Sequence, residues 1–325
     1  MDRDREWLLP AIVITTVTMV LAFALKVATG YPGHPSGMTS LEATIGVVVL
    51  AAFFRFLCHL ARMWRADVAH PIAELRSDFR PALRSFAPIV AGVVIIVLFL
   101  YSITFLKSMI TTLVPFWSDD LFAAMDRALF INSEALALAL KPVLPAFGLY
   151  YGFWHAVHLG SILWVLHWRG GNKARHILSF MLSWTMGMSL AYLFASAGPL
   201  FTGAYDPAVA PPTVRLAAEF LWANYQAQGA LIGGGISAFP SMHVALAAWF
   251  AIVLKDRGHP WIGVAYLLSI YFCSIVLGWH YAVDGAAGIA VTLVADRLAK
   301  RWLLPAGWRL GLATPGLALD RGRVA

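Results

Sequence analysis

The chain has 325 residues, of which 60% are hydrophobic and 13% are charged, and its mean hydropathy is +0.73. A soluble domain of this length needs far more polar surface, so the composition excludes a soluble protein and predicts an integral membrane protein. The net charge of +7 is spread through short connecting segments. Membrane topology explains that distribution better than a nucleic-acid surface does, so no nucleic-acid partner is expected.

Eight apolar runs are long enough to cross a bilayer, which predicts an all-α polytopic membrane protein with about eight transmembrane helices. The runs cover residues 8–29, 41–61, 86–108, 146–168, 176–197, 238–254, 260–279 and 281–303. The first two runs and the basic link after them hold no candidate site residue. We therefore expect three parts, namely residues 1–85 with two helices, residues 86–304 as a six-helix catalytic bundle, and residues 305–325 as a cytoplasmic tail.

Two connections between the runs are long. Residues 109–145 contain Asp119, Asp120 and Asp126 among Leu, Ala and Phe, which predicts an amphipathic segment at the membrane interface with these carboxylates on its solvated faces. Residues 198–237 are rich in Pro and Gly and are expected to form an ordered loop that packs over the bundle.

The positions of Lys and Arg predict the orientation. Most of the 24 basic residues fall in alternate connections on the same side as the N-terminus, which indicates that both termini are cytoplasmic. This topology puts Lys107, His243, His280 and Asp284 at the outer boundary of the bilayer. We therefore expect an extracytoplasmic active site in a multi-pass protein of a bacterial inner or plasma membrane.

Two histidines and a carboxylate near the ends of neighbouring apolar runs indicate a reaction centre, because titratable groups are costly near lipid. His280 and Asp284 are four residues apart. If the last helix begins near His280, both lie on one face, and the carboxylate can orient the imidazole as a nucleophile or base. His243 would then donate a proton. Such a pair suits in-line displacement at phosphorus.

Several residues near this centre are candidates for binding an anion or for lining the site. Ser241, which follows Pro240, either caps a helix or contacts phosphate, and Gly233 to Gly235 would let the backbone approach a ligand closely. Lys107 either contacts phosphate or extends to the membrane interface. The candidates for lining the cavity are His155, His158 and Arg215.

Two less specific interpretations compete with a catalytic one. The histidines could be hydrogen-bonded packing residues, or the three side chains could bind a metal. No Cys or Glu supports a metal site, and Cys58 and Cys273 lie inside apolar runs, so neither a zinc site nor a disulfide framework is expected. We expect no metal and no cofactor.

The segments Pro240-Ser241-Met242-His243 and His280-Tyr281-Ala282-Val283-Asp284 resemble motifs of the phosphatidic acid phosphatase type 2 superfamily. The usual pattern there is Lys-x6-Arg-Pro, Pro-Ser-Gly-His and Ser-Arg-x5-His-x3-Asp. Lys107 has the spacing of the first motif, but Val114 and Ser274 stand where arginines are expected, and Met242 replaces the motif glycine. These departures resemble the branch of inositol phosphorylceramide synthase and related bacterial proteins.

The resemblance implies a role for each matching residue. His280 would be the nucleophile that forms a phosphohistidine-type intermediate, Asp284 would orient it, and His243 would protonate the leaving group. Ser241 and Lys107 would contact phosphate oxygens.

The missing arginines bear on the substrate. A phosphate monoester carries nearly two negative charges and usually recruits arginine, whereas a phosphodiester carries one. We therefore expect a metal-independent lipid phosphotransferase with a phospholipid or phospho-headgroup donor. The alternatives are a lipid phosphate or pyrophosphate phosphatase with the same site and, from another class, a non-catalytic lipid transporter or scaffold.

Overall fold

A computed structural model of the chain describes residues 2–33, 37–168, 172–230 and 234–303, and within these ranges it has 14 helices and no strand. Gly233 and the expected tail at 305–325 lie outside the described residues. The helices are α1 (Asp2–Thr29), α2 (Gly37–Arg65), α3 (Pro71–Ser108), α4 (Ile110–Leu113), α5 (Asp119–Ala128), α6 (Ser133–Ala139), α7 (Leu144–Gly152), α8 (Trp154–Leu166), α9 (Lys173–Leu193), α10 (Pro199–Thr202), α11 (Pro212–Gln226), α12 (Met242–Asp256), α13 (Pro260–Val276) and α14 (Ala282–Leu303).

Each predicted apolar run coincides largely with a helix, so the all-α class is confirmed. Helix α3 is longer than its run, because it begins at Pro71, where proline fits the first turn, and continues for 38 residues. The expected division after residue 85 therefore falls inside a helix. The fourth run is broken, since α7 ends at Gly152 and α8 begins at Trp154.

Apolar helices long enough to cross a membrane identify a membrane protein. Among the described residues, Glu6–Thr29 and Phe86–Leu113 meet that criterion by length and composition. Ser133–Ala139 together with Leu144–Leu166, bent by 116°, would be a third such segment. The expected count of about eight spans stays a prediction.

Helices α9, α12, α13 and α14 form the centre of the bundle, where α12 packs against α13 and α14 and α14 packs against α9. At one end, a partly buried ion-pair network joins three of these helices. The Arg175 guanidinium donates to both Asp296 carboxylate oxygens, at 2.6 and 2.8 Å, and to Asp256 Oδ2 at 2.7 Å. His243 and Asp284 both lie at the other end of the bundle, in the first turns of α12 and α14.

The segment at 109–145 departs from expectation. It forms the short helices α4, α5 and α6, and Asp120 is exposed, but Asp119 and Asp126 are buried, so the prediction that both are solvated is wrong. Their carboxylates accept hydrogen bonds from backbone N–H groups of distant segments, which replace the lost water.

Candidate active site

The first turn of α12 fixes His243. Ser241 is the N-cap of this helix, and its Oγ accepts from the Val244 N–H at 3.4 Å. The Ser241 N–H donates to the backbone oxygen of Asp284 at 2.9 Å, which ties the start of α12 to α14. Ser241 is fully buried and is not among the described residues that line the adjacent cavity. Its contact with phosphate stays a prediction.

Aromatic side chains from the break between α7 and α8 surround the His243 ring. Tyr151 stacks on it with a centroid distance of 4.8 Å, and Trp154 lies 4.3 Å away. The Trp154 Nε1–H also donates to the His243 backbone oxygen at 3.0 Å. The imidazole is therefore held by ring packing, whereas the helix start is held by hydrogen bonds.

His280 lies in the link between α13 and α14 and precedes the helix that carries Asp284. The helix begins at Ala282, near His280 as expected, although His280 itself lies outside it. The pairing still forms, because the Tyr281 N–H donates to Asp284 Oδ2 at 2.9 Å and turns the link back over the helix start. His280 Nδ1 lies 3.4 Å from the same oxygen. This is longer than an ordinary N–H···O bond, but catalytic hydrogen bonds commonly tighten when substrate binds.

The ring centroids of His243 and His280 are 5.7 Å apart, and both residues line one cavity of ≈ 460 Å³. Because Nδ1 of His280 is buried against Asp284, Nε2 is the ring nitrogen left free for chemistry. Helices α3, α7, α8, α9, α11 and α12 and the link before α14 contribute the walls.

The charge of this cavity is low. Lys107 is the one Lys or Arg among the described lining residues, and these residues include no Asp or Glu. No ion pair joins Lys107 to a carboxylate of the described chain. Most of the remaining wall is apolar, with Trp184, Phe201 and Trp279 among its large side chains. Such a cavity fits an amphiphile with a small anionic group.

The other candidate residues take different positions. His155 lines the cavity. His158 stacks between Trp154 and Phe180 at centroid distances of 4.9 and 5.2 Å and is not among the described lining residues. Arg215 is exposed on α11 and is not among them either.

Two glycines next to the site allow close backbone approach. Gly235 has φ +78°, and a Cβ there would lie 3.1 Å from the backbone carbon of Lys107. Gly198 has φ +96°, and a Cβ there would lie 2.7 Å from the carbonyl oxygen of Trp279. Both conformations favour glycine, and neither contact leaves room for a larger residue.

Sequence reasoning missed Asp119 and Asp126 as parts of the site. Asp119 accepts from the Ser196 hydroxyl at 2.8 Å and from the N–H groups of Ala197 and Gly198 at 2.9 Å each. Asp126 accepts from the Ala282 N–H at 3.1 Å. The spacing of Asp119, Phe122 and Asp126 was the available signal, since it places two carboxylates on the face of α5 that carries an aromatic ring.

Within the described residues, no group of three or more His, Cys, Asp or Glu side chains is arranged to hold a metal ion. Metal independence of the chemistry stays a prediction.

Comparison with known proteins gives one match. A family model described as PAP2 superfamily matches residues 120–298. A search of curated proteins and a search of solved structures each found no match. The matched region includes His243, His280 and Asp284 and covers more than half of the 325 residues. The chain therefore belongs to the PAP2 superfamily, whose members generally catalyse phosphoryl transfer or hydrolysis.

Proposed function

We propose that this protein is a membrane lipid phosphotransferase that acts on a phosphodiester or phospho-headgroup lipid through a covalent phosphohistidine at His280. The observation that carries the proposal is the pair of imidazoles, His243 and His280, which line one cavity, with the Asp284 carboxylate beside the ring of His280. One ring is oriented as a nucleophile and the other is free to transfer a proton.

The first step loads the enzyme. His280 Nε2 attacks the phosphorus of the donor, so that an N–P bond forms as the P–O bond to the lipid alcohol breaks. The departing oxygen takes a proton from His243 and leaves as a neutral alcohol. Asp284 accepts from Nδ1–H and stabilises the positive charge that develops on the His280 ring.

The second step transfers the phosphoryl group from His280 to the acceptor. A hydroxyl of the acceptor attacks the phosphorus, the N–P bond breaks, and the hydroxyl proton goes to His243. His243 is then protonated again and His280 is free, so the net reaction moves a headgroup phosphate from one alcohol to another.

The charge of the cavity supports a diester donor. Lys107 is the one Lys or Arg of the described lining; a phosphodiester carries one negative charge, whereas a monoester carries nearly two and usually recruits arginine forks. Val114 and Ser274 stand at the positions where the superfamily pattern has arginine, and the Ser274 hydroxyl donates to the Tyr271 carbonyl at 2.7 Å. The resemblance to inositol phosphorylceramide synthase supports the same choice.

The second candidate is a lipid phosphate or pyrophosphate phosphatase that uses the same intermediate with water as acceptor. Membership of the PAP2 superfamily favours it, because hydrolysis is one of the two reactions typical of that superfamily. In this case water attacks the phosphohistidine and releases a free phosphate.

We also propose that the site faces the extracytoplasmic side of a bacterial inner or plasma membrane and that about eight helices cross it. The distribution of Lys and Arg supports this orientation, with both termini cytoplasmic. The working substrates are then lipids of the outer leaflet.

The test uses the detergent-purified protein and a phospholipid donor that carries ³²P. Wild-type protein should form an acid-labile, base-stable phosphoprotein and, with an added alcohol acceptor, a new labelled phospholipid. His280→Ala should abolish both, while His259→Ala, which alters an exposed histidine at the start of α13, should keep both. Full turnover by H280A would refute the catalytic role, and release of labelled phosphate or phospho-headgroup in place of new lipid would assign the hydrolase.

A further inference from the structure

Helix α5 contacts both of the segments that carry the site, namely the one that leads into His243 and the one that follows His280. Its three buried residues lie on one face, and each contacts a different part of the site. Asp119 holds the backbone at 196–198, whose Gly198 lies against the Trp279 carbonyl. The Phe122 ring lies 4.8 Å from that of Phe239, which precedes the His243 signature, and 6.1 Å from that of Tyr281, which follows His280.

Asp126 makes the contact nearest to the nucleophile. Ala282 is the first residue of α14, so its N–H has no acceptor within that helix. Both carboxylate oxygens of Asp126 lie within reach of it, at 3.1 and 3.3 Å. Asp284 accepts from the preceding N–H, that of Tyr281. Two carboxylates thus hold two successive N–H groups at the positive end of the α14 dipole.

This arrangement determines where His280 stands. The peptide units of Tyr281 and Ala282 are the only covalent connection between His280 and α14, and their N–H groups are taken up by Asp284 and Asp126. Loss of the Asp126 contact would free the Ala282 N–H to rotate and change the spacing of 3.4 Å between His280 Nδ1 and Asp284 Oδ2. Displacements of this kind matter, because a misplacement of about 1 Å can cost about 100-fold in rate.

We propose that Asp126 is a positioning residue for the nucleophile His280 and acts through its hydrogen bond to the first N–H of α14. It lies 154 residues before His280 in the chain, and within the described residues it makes no ring or polar contact with either imidazole. The inference rests on the proposed function, since positioning has meaning only if His280 attacks phosphorus.

The test compares three variants by steady-state kinetics and by the rate of phosphohistidine formation in a single turnover. Asp126→Ala removes the acceptor, so kcat should fall by about 10- to 100-fold while KM for the donor stays within about threefold. Asp126→Asn keeps an oxygen that can accept from Ala282, so kcat should remain within about threefold of wild type. Asp120→Ala is the matched control, because Asp120 is an exposed carboxylate on the same helix.

Each outcome decides the matter. A D126A kcat within twofold of wild type, or an equal loss in D120A, overturns the inference. If D126A does not fold, D126N decides alone. A loss of kcat above tenfold in D126N would show that a hydrogen bond to the Ala282 N–H is not enough to position His280, and would overturn the inference. Active H280A would instead refute the proposed function, whereas inactive H280A with unchanged D126A would refute only the positioning role.

Discussion

At the scale of single residues, the two histidines that line the cavity differ in what surrounds them. His280 lies beside the buried carboxylate of Asp284, with Nδ1 3.4 Å from Oδ2, which fits the orienting role proposed for Asp284. His243 contacts the aromatic rings of Tyr151 and Trp154 and has no carboxylate beside it among the described contacts. The carboxylate therefore belongs to one imidazole of the pair, which agrees with the two different roles proposed for His280 and His243.

This assignment predicts a dependence on the leaving group. His243→Ala should slow transfer from a donor with an alkyl leaving group by about 100- to 10,000-fold, the usual value of a general acid. The loss should be much smaller for a p-nitrophenyl phosphodiester, because nitrophenolate needs no proton to leave. Steady-state rates of both donors with H243A and wild type measure the effect. Equal losses on the two donors would contradict the role.

Asp126 gives a prediction for stability against pH. Burial raises the pKa of Asp126 from 3.8 to about 6, with the Ala282 N–H acting against this rise and the charge of Asp284 adding to it. A carboxyl with a higher pKa in the folded than in the unfolded protein binds its proton more tightly when folded. Its ionisation therefore destabilises the fold, by nothing below the unfolded pKa and by the full amount above the folded pKa.

The variant Asp126→Asn removes this titration. The Tm of D126N minus the Tm of wild type should therefore rise between about pH 4 and about pH 6 and stay level above that window. Thermal unfolding in detergent at a series of pH values measures it, and other groups cancel because they titrate in both proteins. A difference that is constant across the window would show that Asp126 does not titrate there.

The sequence could predict His243, His280 and Asp284 as a group but not the residues that hold them. The three catalytic candidates stand out because they are polar residues within apolar runs. Asp119 and Asp126 stand in a segment that is already polar, where a carboxylate usually faces water. Their partners are backbone N–H groups 78 and 156 residues away, which no local pattern reveals.

At the scale of helices, the apolar runs predicted where most elements lie, because the length of a run limits the helix that it can form. They predicted the start of α14 closely, since the last run begins at residue 281 and the helix begins at Ala282. They could not predict the interruption at Phe153, which lies next to the site, depends on tertiary contacts and presents Tyr151 and Trp154 to His243.

The approach of α12 to α14 depends on Gly288. A Cβ at this position would lie 2.5 Å from the Ser241 carbonyl oxygen and 3.1 Å from the Ala245 nitrogen. Gly288→Ala should therefore force the helices apart, lower stability by about 1–3 kcal/mol and reduce kcat, because the start of α12 carries His243.

Gly160→Ala is the matched control for this change. Gly160 is also helical, but a Cβ there meets nothing within 4 Å, so the variant should keep its activity and its Tm. Thermal unfolding and transfer rates of both variants give the comparison. Equal stability and equal rates for G288A and G160A would show that the contact does not matter.

At the scale of the whole molecule, the proposed orientation can be measured by cysteine labelling. In a Cys58→Ser background, Gln226→Cys should react with a membrane-impermeant maleimide in intact cells, and His259→Cys only after permeabilisation. Both positions are exposed, and the remaining native thiol, Cys273, is buried. The opposite labelling pattern would reverse the topology and move the site to the cytoplasmic side.

Polar contacts at both ends of the bundle hold together the helices that position the site. The Arg175 network joins α9, α12 and α14 at one end, and the Ser241 N–H bond to Asp284 joins α12 and α14 at the other. Arg175 is paired with two carboxylates, so removing it would leave Asp256 and Asp296 without their main counter-charge. The site therefore lies between helices that ion pairs connect at one end and a backbone hydrogen bond connects at the other.

The residues that line the cavity differ in how closely they are linked to the two imidazoles, and this difference determines which of them can change without affecting the site. His243 and His280 lie on α12 and on the link before α14, whose backbone groups are hydrogen-bonded to Trp154, Asp284 and Asp126. Helix α11 contributes Val214 and Phe220 to the lining of the same cavity. Among the described residues, neither of these two side chains makes a ring contact with His243 or His280, so substitutions there would change the shape and polarity of the space and leave those contacts intact. Under the proposed function, changes on α11 would therefore alter which substrates the cavity accepts while the reaction at the two imidazoles stays the same.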